Sequence, residues 1–139
     1  MTAPRRVVLD AGPLIALLHR SDHDHDHAVA GFRELTDANA SLVTPLPIIF
    51  EVYKWLLYEA GPATAQQGLH QMRRSLDVTY PIHEEFAAAT TLTGARRNWT
   101  GTLEDAVVAV TALRFRIPVW TLNYRDLGVF PELRFWNPR

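Results

Sequence analysis

The sequence has no cysteine and only one lysine, Lys54, among its 14 basic residues. Without cysteine there is no disulfide framework, no thiolate ligand for zinc or an iron–sulfur cluster, and no thiol nucleophile. The sequence also lacks the uninterrupted run of about 18 apolar residues that a membrane-spanning helix needs. These absences exclude disulfide-stapled, thiolate–metal and membrane-spanning classes, and they fit a protein of the reducing cytoplasm.

The 139-residue chain has the size of one compact domain, so we expect a single domain over residues 1–139. Hydrophobic residues make up 47% and charged residues 21%, a balance that supports a buried core and excludes intrinsic disorder. The formal net charge of −1 gives no overall attraction to nucleic acid. Local groups of arginine remain able to bind phosphate, because a guanidinium makes paired hydrogen bonds to it.

Short apolar strands alternate with longer helical patterns along the chain. We predict strands at 6–10, 41–44, 76–80 and 118–122, with 133–136 as a last edge strand. The predicted helices are 14–18, 28–35, 48–59, 63–74, 84–97 and 102–113. This alternation predicts an α/β fold of three α/β/α layers, in which a mostly parallel sheet carries helices on both faces.

Four carboxylates fall where strands end and helices begin. Asp10 ends the first strand, Asp126 follows the strand at 118–122 together with Asn123, and Asp105 lies in the first turn of its helix. Glu51 is near the start of the helix that leaves the strand at 41–44. Open parallel sheets place their sites at the carboxyl ends of the strands, where strand order reverses. We therefore expect these four acids in one crevice.

Each of these acids also has a purely structural interpretation. Asp10 can cap the helix that follows it, and Asp105 fits a capping box at the start of its own helix. Asp126 suits a turn. Glu51 is three residues before Lys54, a spacing that favours a surface ion pair on a helix. These interpretations stay open beside the functional one.

Four carboxylates in one crevice repel each other, and a divalent cation relieves that repulsion. Ligands that are all oxygen select magnesium or manganese over zinc, and such sites leave positions for water and substrate phosphate. The sequence has no G-x-S-x-G elbow and no phosphate-binding glycine loop, so hydrolytic phosphodiester chemistry is favoured. Glu104 points about 100° away from Asp105 on the same helix, and we expect it to be solvated.

Segments in a fixed order carry a family resemblance: residues 8–18, Pro47 with Glu51-Val52, residues 103–112 and residues 119–127. Together they resemble the PIN domain, and within it the VapC-type toxins of bacterial and archaeal toxin–antitoxin pairs. The resemblance spans nearly the whole chain. It implies a magnesium-dependent endoribonuclease, with manganese as an alternative ion. It also implies a parallel sheet of four or five strands, a homodimer, and an antitoxin that covers the acidic site.

The resemblance implies four acidic residues that are catalytic and bind the metal. It also implies two polar residues that support them. The quartet is Asp10, Glu51, Asp105 and Asp126, and the supporting residues are Thr121 and Asn123.

Arginine and tryptophan near these acids are candidates for RNA or antitoxin contact. Arg125 stands beside Asp126, and Arg96, Arg97 and Trp99 precede the helix that carries Asp105. The two adjacent arginines also suit a helix C-terminus, where cations complement the dipole, and Trp99 also suits the core.

The segment 22–27 alternates aspartate with histidine. It fails as a calcium loop, because His27 and Arg33 stand where glycine and glutamate are needed. His19, His23 and His27 recur at a spacing of four, which leaves zinc open beside a solvated loop in which Asp26 caps the next helix.

Other functions of such a fold are weaker. A receiver domain needs a lysine after the last strand, and a D-x-D phosphatase needs an acid where Gly12 stands. A catalytically silent PIN-like module that binds RNA or protein remains the alternative.

Overall fold

Residues 2–139 are described by a computed structural model, in which four strands and seven helices follow one another. The elements are β1 (Arg6–Leu9), α1 (Ala11–Leu18), α2 (His25–Asp37), β2 (Ser41–Pro45), α3 (Leu46–Ala60), α4 (Pro62–Ser75), β3 (Asp77–Thr79), α5 (His83–Ala95), α6 (Leu103–Phe115), β4 (Val119–Trp120) and α7 (Tyr124–Leu127).

The sheet is parallel throughout, with strand order β3-β2-β1-β4. In register, Val8 of β1 lies opposite Val43 on one side and Val119 on the other. β1 is central and its apolar side chains are fully buried, as expected for a strand covered on both faces. The strand order reverses beside β1, because β2 lies on one side and β4 on the other. The predicted α/β fold with a mostly parallel sheet is confirmed.

An aromatic cluster fills the space around β4. Trp120 is fully buried, and its ring lies 4.8 Å from that of Phe32 and 5.1 Å from that of Trp136. Gly31 of α2 permits this packing, because a Cβ there would lie 2.4 Å from the Trp120 ring. α2 therefore packs closely against the end of β4. This packing holds in place the strand that lies beside the candidate site.

Several predicted elements differ from the structure. β4 covers Val119–Trp120 rather than 118–122, α2 begins at His25 rather than at residue 28, and the short helix α7 was not predicted. The edge strand at 133–136 is reduced to one parallel bridge between Phe135 and Val119, because the segment is short and Pro138 has no N–H to extend a ladder. The first helix begins at Ala11 rather than at residue 14, since Pro13 is tolerated within a first turn. Across residues 2–139 no helix combines the length and apolar character needed to cross a membrane.

Candidate active site

The ends of β1 and β4 bring Asp10 and Thr121 together. The Asp10 backbone N–H donates to the carbonyl of Trp120 at 3.1 Å, which continues the β1–β4 pairing by one residue. The Thr121 hydroxyl donates to Asp10 Oδ2 at 2.7 Å, and both side chains are buried. Asp10 occupies the N-cap position of α1, but its side chain makes no capping hydrogen bond to the turn beyond Ala11.

Asp105 is fixed at the start of α6 by the predicted capping box, which is confirmed. Its Oδ2 accepts from the backbone N–H of Thr102 at 2.9 Å, and its own N–H donates to the Thr102 hydroxyl at 3.1 Å. Asn123 Nδ2 donates to the same Oδ2 at 3.4 Å. Because all of these side-chain bonds use Oδ2, the other carboxylate oxygen of Asp105 is left for a ligand. Capping and a functional role are therefore compatible.

Glu51 lies in the second turn of α3 and is half-buried. Burial, followed by the charges of Asp10, Glu104 and Asp105, raises the pKa of Glu51 from 4.5 to about 7. Lys54 opposes this shift only weakly and makes no salt bridge to Glu51 within residues 2–139. Glu51 therefore faces the other acids rather than a surface lysine.

Asp10 is buried against the same group of acids. Burial, in the first place, raises its pKa from 3.8 to about 6, although the hydrogen bonds from Thr121 and from the Ala11 backbone oppose the shift. The charge of Asp105 raises it further. Two carboxylates with raised pKa values in one crevice indicate negative charge that the protein itself leaves uncompensated.

Glu104 also belongs to this neighbourhood, beside the partial solvation expected from the sequence. It is only partly exposed, and its charge raises the pKa of Glu51. Packing of α3 against α6 places the two side chains near each other. The sequence signal for this was the pair of acids in the first turn of α6.

Asp126 differs from the other predicted acids because its carboxylate is fully engaged. Its Oδ2 accepts from Asn123 Nδ2 at 3.0 Å and lies 3.6 Å from Arg125 Nη2, while its Oδ1 accepts from the Thr100 hydroxyl at 3.1 Å. The hydrogen bond from Asn123 is the main cause that lowers its pKa. Asn123 contacts both Asp126 and Asp105, so the predicted acids adjoin each other. The role of Asp126 as a metal ligand stays a prediction.

The oxygen donors of Asp10, Glu51 and Asp105 are of the kind that magnesium and manganese prefer. Within residues 2–139, no group of three or more histidine, aspartate or glutamate side chains is arranged so that it could hold a metal ion. The oxygen donors of Asp10, Glu51 and Asp105 fit the magnesium type by their chemistry, since such a site binds a few carboxylates together with water. The raised pKa values of Asp10 and Glu51 are consistent with a crevice that attracts a cation.

Comparisons with known proteins bear on this arrangement. No protein-family model matches the sequence, and no curated protein matches it. Among solved structures, VapC20 of Mycobacterium tuberculosis, a toxin that cleaves the sarcin–ricin loop, has a TM-score of 0.76 at 15% identity, covering 92% of this chain and 98% of that chain. The chain has the PIN-like fold of the VapC toxins. The resemblance inferred from the motifs is thus confirmed for the fold.

Toxin–antitoxin complexes share this VapC-like fold. A chain of VapBC2 from Rickettsia felis, bound to a DNA fragment from their promoter, has a TM-score of 0.75 at 12% identity over 95% of this chain and 98% of that one. VapBC-1 from nontypeable Haemophilus influenzae gives 0.71 at 14% identity over 95% and 97%.

The segment before α6 packs beside this VapC-like acidic edge. Trp99 is partly buried, its Nε1 donates to the Asp126 carbonyl at 2.9 Å, and its ring meets Phe130 edge to face at 5.5 Å. The Arg96 guanidinium lies over the Phe130 ring at 5.2 Å, whereas Arg97 is exposed. The predicted contacts of these residues with RNA or an antitoxin stay predictions.

The three histidines spaced four residues apart do not form a zinc site in the VapC-like fold. His19 packs edge to face on Trp55, and His27 on Trp120. His23 is exposed and lies 3.3 Å from Asp24. Because α1 ends before residue 19 and α2 begins after residue 24, the three side chains do not share one helical face.

The prediction that Asp26 caps the second helix is wrong. That helix begins at His25, with Asp24 at the capping position and Asp26 inside the first turn. Asp22 Oδ1 accepts from the Asp24 N–H at 2.8 Å, and this tight turn moves the helix start upstream. His25 Nδ1 lies 2.7 Å from the Ala16 carbonyl and joins the loop to α1.

Proposed function

We propose that the chain is a magnesium-dependent endoribonuclease that hydrolyses RNA phosphodiester bonds as the toxin of a toxin–antitoxin pair. The observation that carries the proposal is the group of Asp10, Glu51 and Asp105 at the point where strand order reverses. Two of these carboxylates have raised pKa values, and among residues 2–139 Lys54 is the one cation that opposes either shift, with the smallest of the effects on Glu51. A buried acid group that serves stability alone would instead be paired with arginine or lysine.

The three acids would hold Mg²⁺, or Mn²⁺ in its place, directly or through water. When bound, the ion supplies a water of lowered pKa and stabilises negative charge on the phosphate oxygens. Thr121 holds the Asp10 carboxylate through its 2.7 Å hydrogen bond. Asn123 holds Asp105 and links it to Asp126, which completes the acidic rim. No side-chain nucleophile is required.

RNA as the substrate is supported by the shared fold, since VapC20 cleaves the sarcin–ricin loop. An antitoxin partner is supported by the VapBC structures that share the fold. A homodimer and a cytoplasmic location complete the proposal and follow from the family resemblance and the absence of cysteine.

The decisive experiment is cleavage of total cellular RNA by the wild type and by the Asp10→Asn, Glu51→Gln and Asp105→Asn variants. Each protein is tested with magnesium, with manganese and with EDTA. Asp37→Asn is the matched control, because Asp37 is exposed at the end of α2 and leads into the opposite edge of the sheet. We expect discrete, metal-dependent fragments from the wild type and the control alone.

Two outcomes would overturn the proposal. Identical fragments from the wild type and all site variants would assign the activity to a contaminant. Inert wild-type protein with every metal, combined with retained RNA binding, would favour the catalytically silent binding module instead.

A further inference from the structure

An open cleft of about 320 Å³ lies beside the acidic group. Its walls include Arg96, Trp99, Thr100, Arg125 and Asp126. The cleft is at the low end of the range of roughly 300–1,000 Å³ found for small-molecule sites, which suits one nucleotide unit of a chain.

The cleft and the acidic group share a wall. Asn123 Nδ2 lies 3.0 Å from Asp126 Oδ2 on the cleft side and 3.4 Å from Asp105 Oδ2 on the acidic side. One amide group therefore separates the two. A strand bound across the acids would therefore have the cleft beside it.

The guanidinium groups of Arg96 and Arg125 in the cleft each contact a neighbouring side chain and remain exposed to solvent. Arg96 rests over the Phe130 ring at 5.2 Å. Arg125 lies 3.6 Å from Asp126 and is 83% exposed. A guanidinium has five N–H donors, so these interactions leave most donors available. Two positive charges face one carboxylate, and that carboxylate is already engaged by Asn123 and Thr100.

We propose that this cleft binds the backbone phosphate next to the bond that is cut, and that Asp126 is a positioning residue that holds Arg125 and the Thr100 segment for it. This inference rests on the proposed ribonuclease function. In a nucleic acid every scissile phosphate has a neighbouring phosphate one nucleotide away. If the scissile phosphate lies at the acidic crevice, the neighbouring phosphate lies at the arginine cleft beside it. Contacts of this kind position the strand and carry no sequence information.

Trp99 forms the floor of the cleft rather than a stacking surface for bases. Its Nε1 is bonded to the Asp126 carbonyl, and its ring covers Gly101 so closely that a Cβ there would lie 2.1 Å from it. The cleft therefore reads phosphate charge and not base identity.

The test measures binding of a fluorescent single-stranded RNA of about 12 nucleotides to the full-length protein in EDTA, over a range of salt concentrations. The variants are Arg96→Gln and Arg125→Gln, and the matched control is Arg33→Gln, since Arg33 is exposed on α2 and does not line the cleft. We expect each cleft variant to weaken binding about five- to tenfold. The slope of log K against log salt should fall by about 0.7 for each phosphate that the variant no longer binds.

A conservative replacement of Arg125 and the enzyme kinetics distinguish a positioning role from damage to the structure. Arg125→Lys should restore much of the binding, because charge is kept. With magnesium, Arg96→Gln and Arg125→Gln should raise KM by the same five- to tenfold factor and change kcat by less than about twofold. Asp126→Asn should also raise KM, yet leave the magnesium-induced rise in Tm intact, whereas Asp105→Asn should abolish that rise.

Several results would overturn the inference. Cleft variants that match Arg33→Gln in affinity and salt slope would remove the phosphate subsite, as would wild-type protein that does not bind the RNA. Loss of binding to a short oligoglutamate peptide, with RNA binding unchanged, would assign the cleft to a protein carboxylate. Loss of the magnesium-induced Tm shift in Asp126→Asn would make Asp126 a ligand. If the wild type binds RNA but does not cut it, the proposed function fails. The binding data then still show whether the cleft binds phosphate.

Discussion

Replacing Asp10 with asparagine is expected to stabilise the metal-free protein at alkaline pH and not at acidic pH. Burial raises the pKa of Asp10 from 3.8 to about 6 in the folded protein. Below the unfolded pKa of about 3.9 the group is protonated in both states and has no effect on stability. As the pH rises through about 6, the folded state comes to carry a buried charge and loses stability.

The magnitude follows from that shift. A rise of about 2 pKa units corresponds to roughly 3 kcal/mol, at 1.36 kcal/mol per unit. Asparagine keeps an oxygen that accepts from Thr121, but it also buries an amide N–H group, at a cost of about 1 kcal/mol. Asp10→Asn should therefore gain about 2 kcal/mol at about pH 8 and be slightly less stable than wild type at about pH 4.

Urea unfolding followed by tryptophan fluorescence, in EDTA at the two pH values, measures this difference. Asp126→Asn is the control of opposite sign, because hydrogen bonding lowers the pKa of Asp126 and its ionised form stabilises the fold. That variant should lose stability at alkaline pH. An Asp10→Asn stability difference that is the same at both pH values would contradict this prediction, since it would mean that folding leaves the carboxylate solvated.

Two other substitutions test the packing and hydrogen bonding around the site. Thr121→Val removes the 2.7 Å hydrogen bond to Asp10, so it should raise the Asp10 pKa further and cost about 1–2 kcal/mol at alkaline pH; an unchanged pH profile of urea unfolding would contradict this. Gly31→Ala places a Cβ 2.4 Å from the Trp120 ring and should cost about 1–3 kcal/mol. Gly94→Ala, on α5 with no atom within 4 Å, should gain about 0.5–1 kcal/mol, and thermal unfolding that shifts both glycine variants the same way would speak against the packing argument.

The hydrogen bonds and ion pair of Asp126 distinguish it from the other three acids. The acidic quartet therefore combines two roles. Asp10, Glu51 and Asp105 keep charge that the protein does not neutralise, whereas Asp126 meets Asn123, Thr100 and Arg125. The first group suits a cation, and the second suits an arginine that must be held in place. Any assay that scores only loss of cleavage would treat the two alike, which is why metal binding and RNA binding need separate measurements.

Local pattern predicted most of the succession of strands and helices, but not the short helix α7 or the reduction of the segment 133–136 to one bridge. The apolar β-branched run before Asp10 predicted a buried strand, and the Thr102–Asp105 spacing predicted a capping box with the observed hydrogen bonds. The general rule for parallel sheets then placed Asp10 and Asp126 at one edge. Each of these signals depends on only a few neighbouring residues or on one rule of topology.

Periodicity, capping patterns and the rules of sheet topology predict most of the elements, the parallel sheet and the edge at which the acids collect, because these are local or topological properties. Apart from the Thr102–Asp105 capping box, the partners of the carboxylates depend on tertiary packing. Thr100 reaches Asp126 across 26 positions of chain, and packing of α3 on α6 brings Glu104 near Glu51. Such contacts depend on how loops run and helices pack, and burial sets the pKa values only after that packing exists.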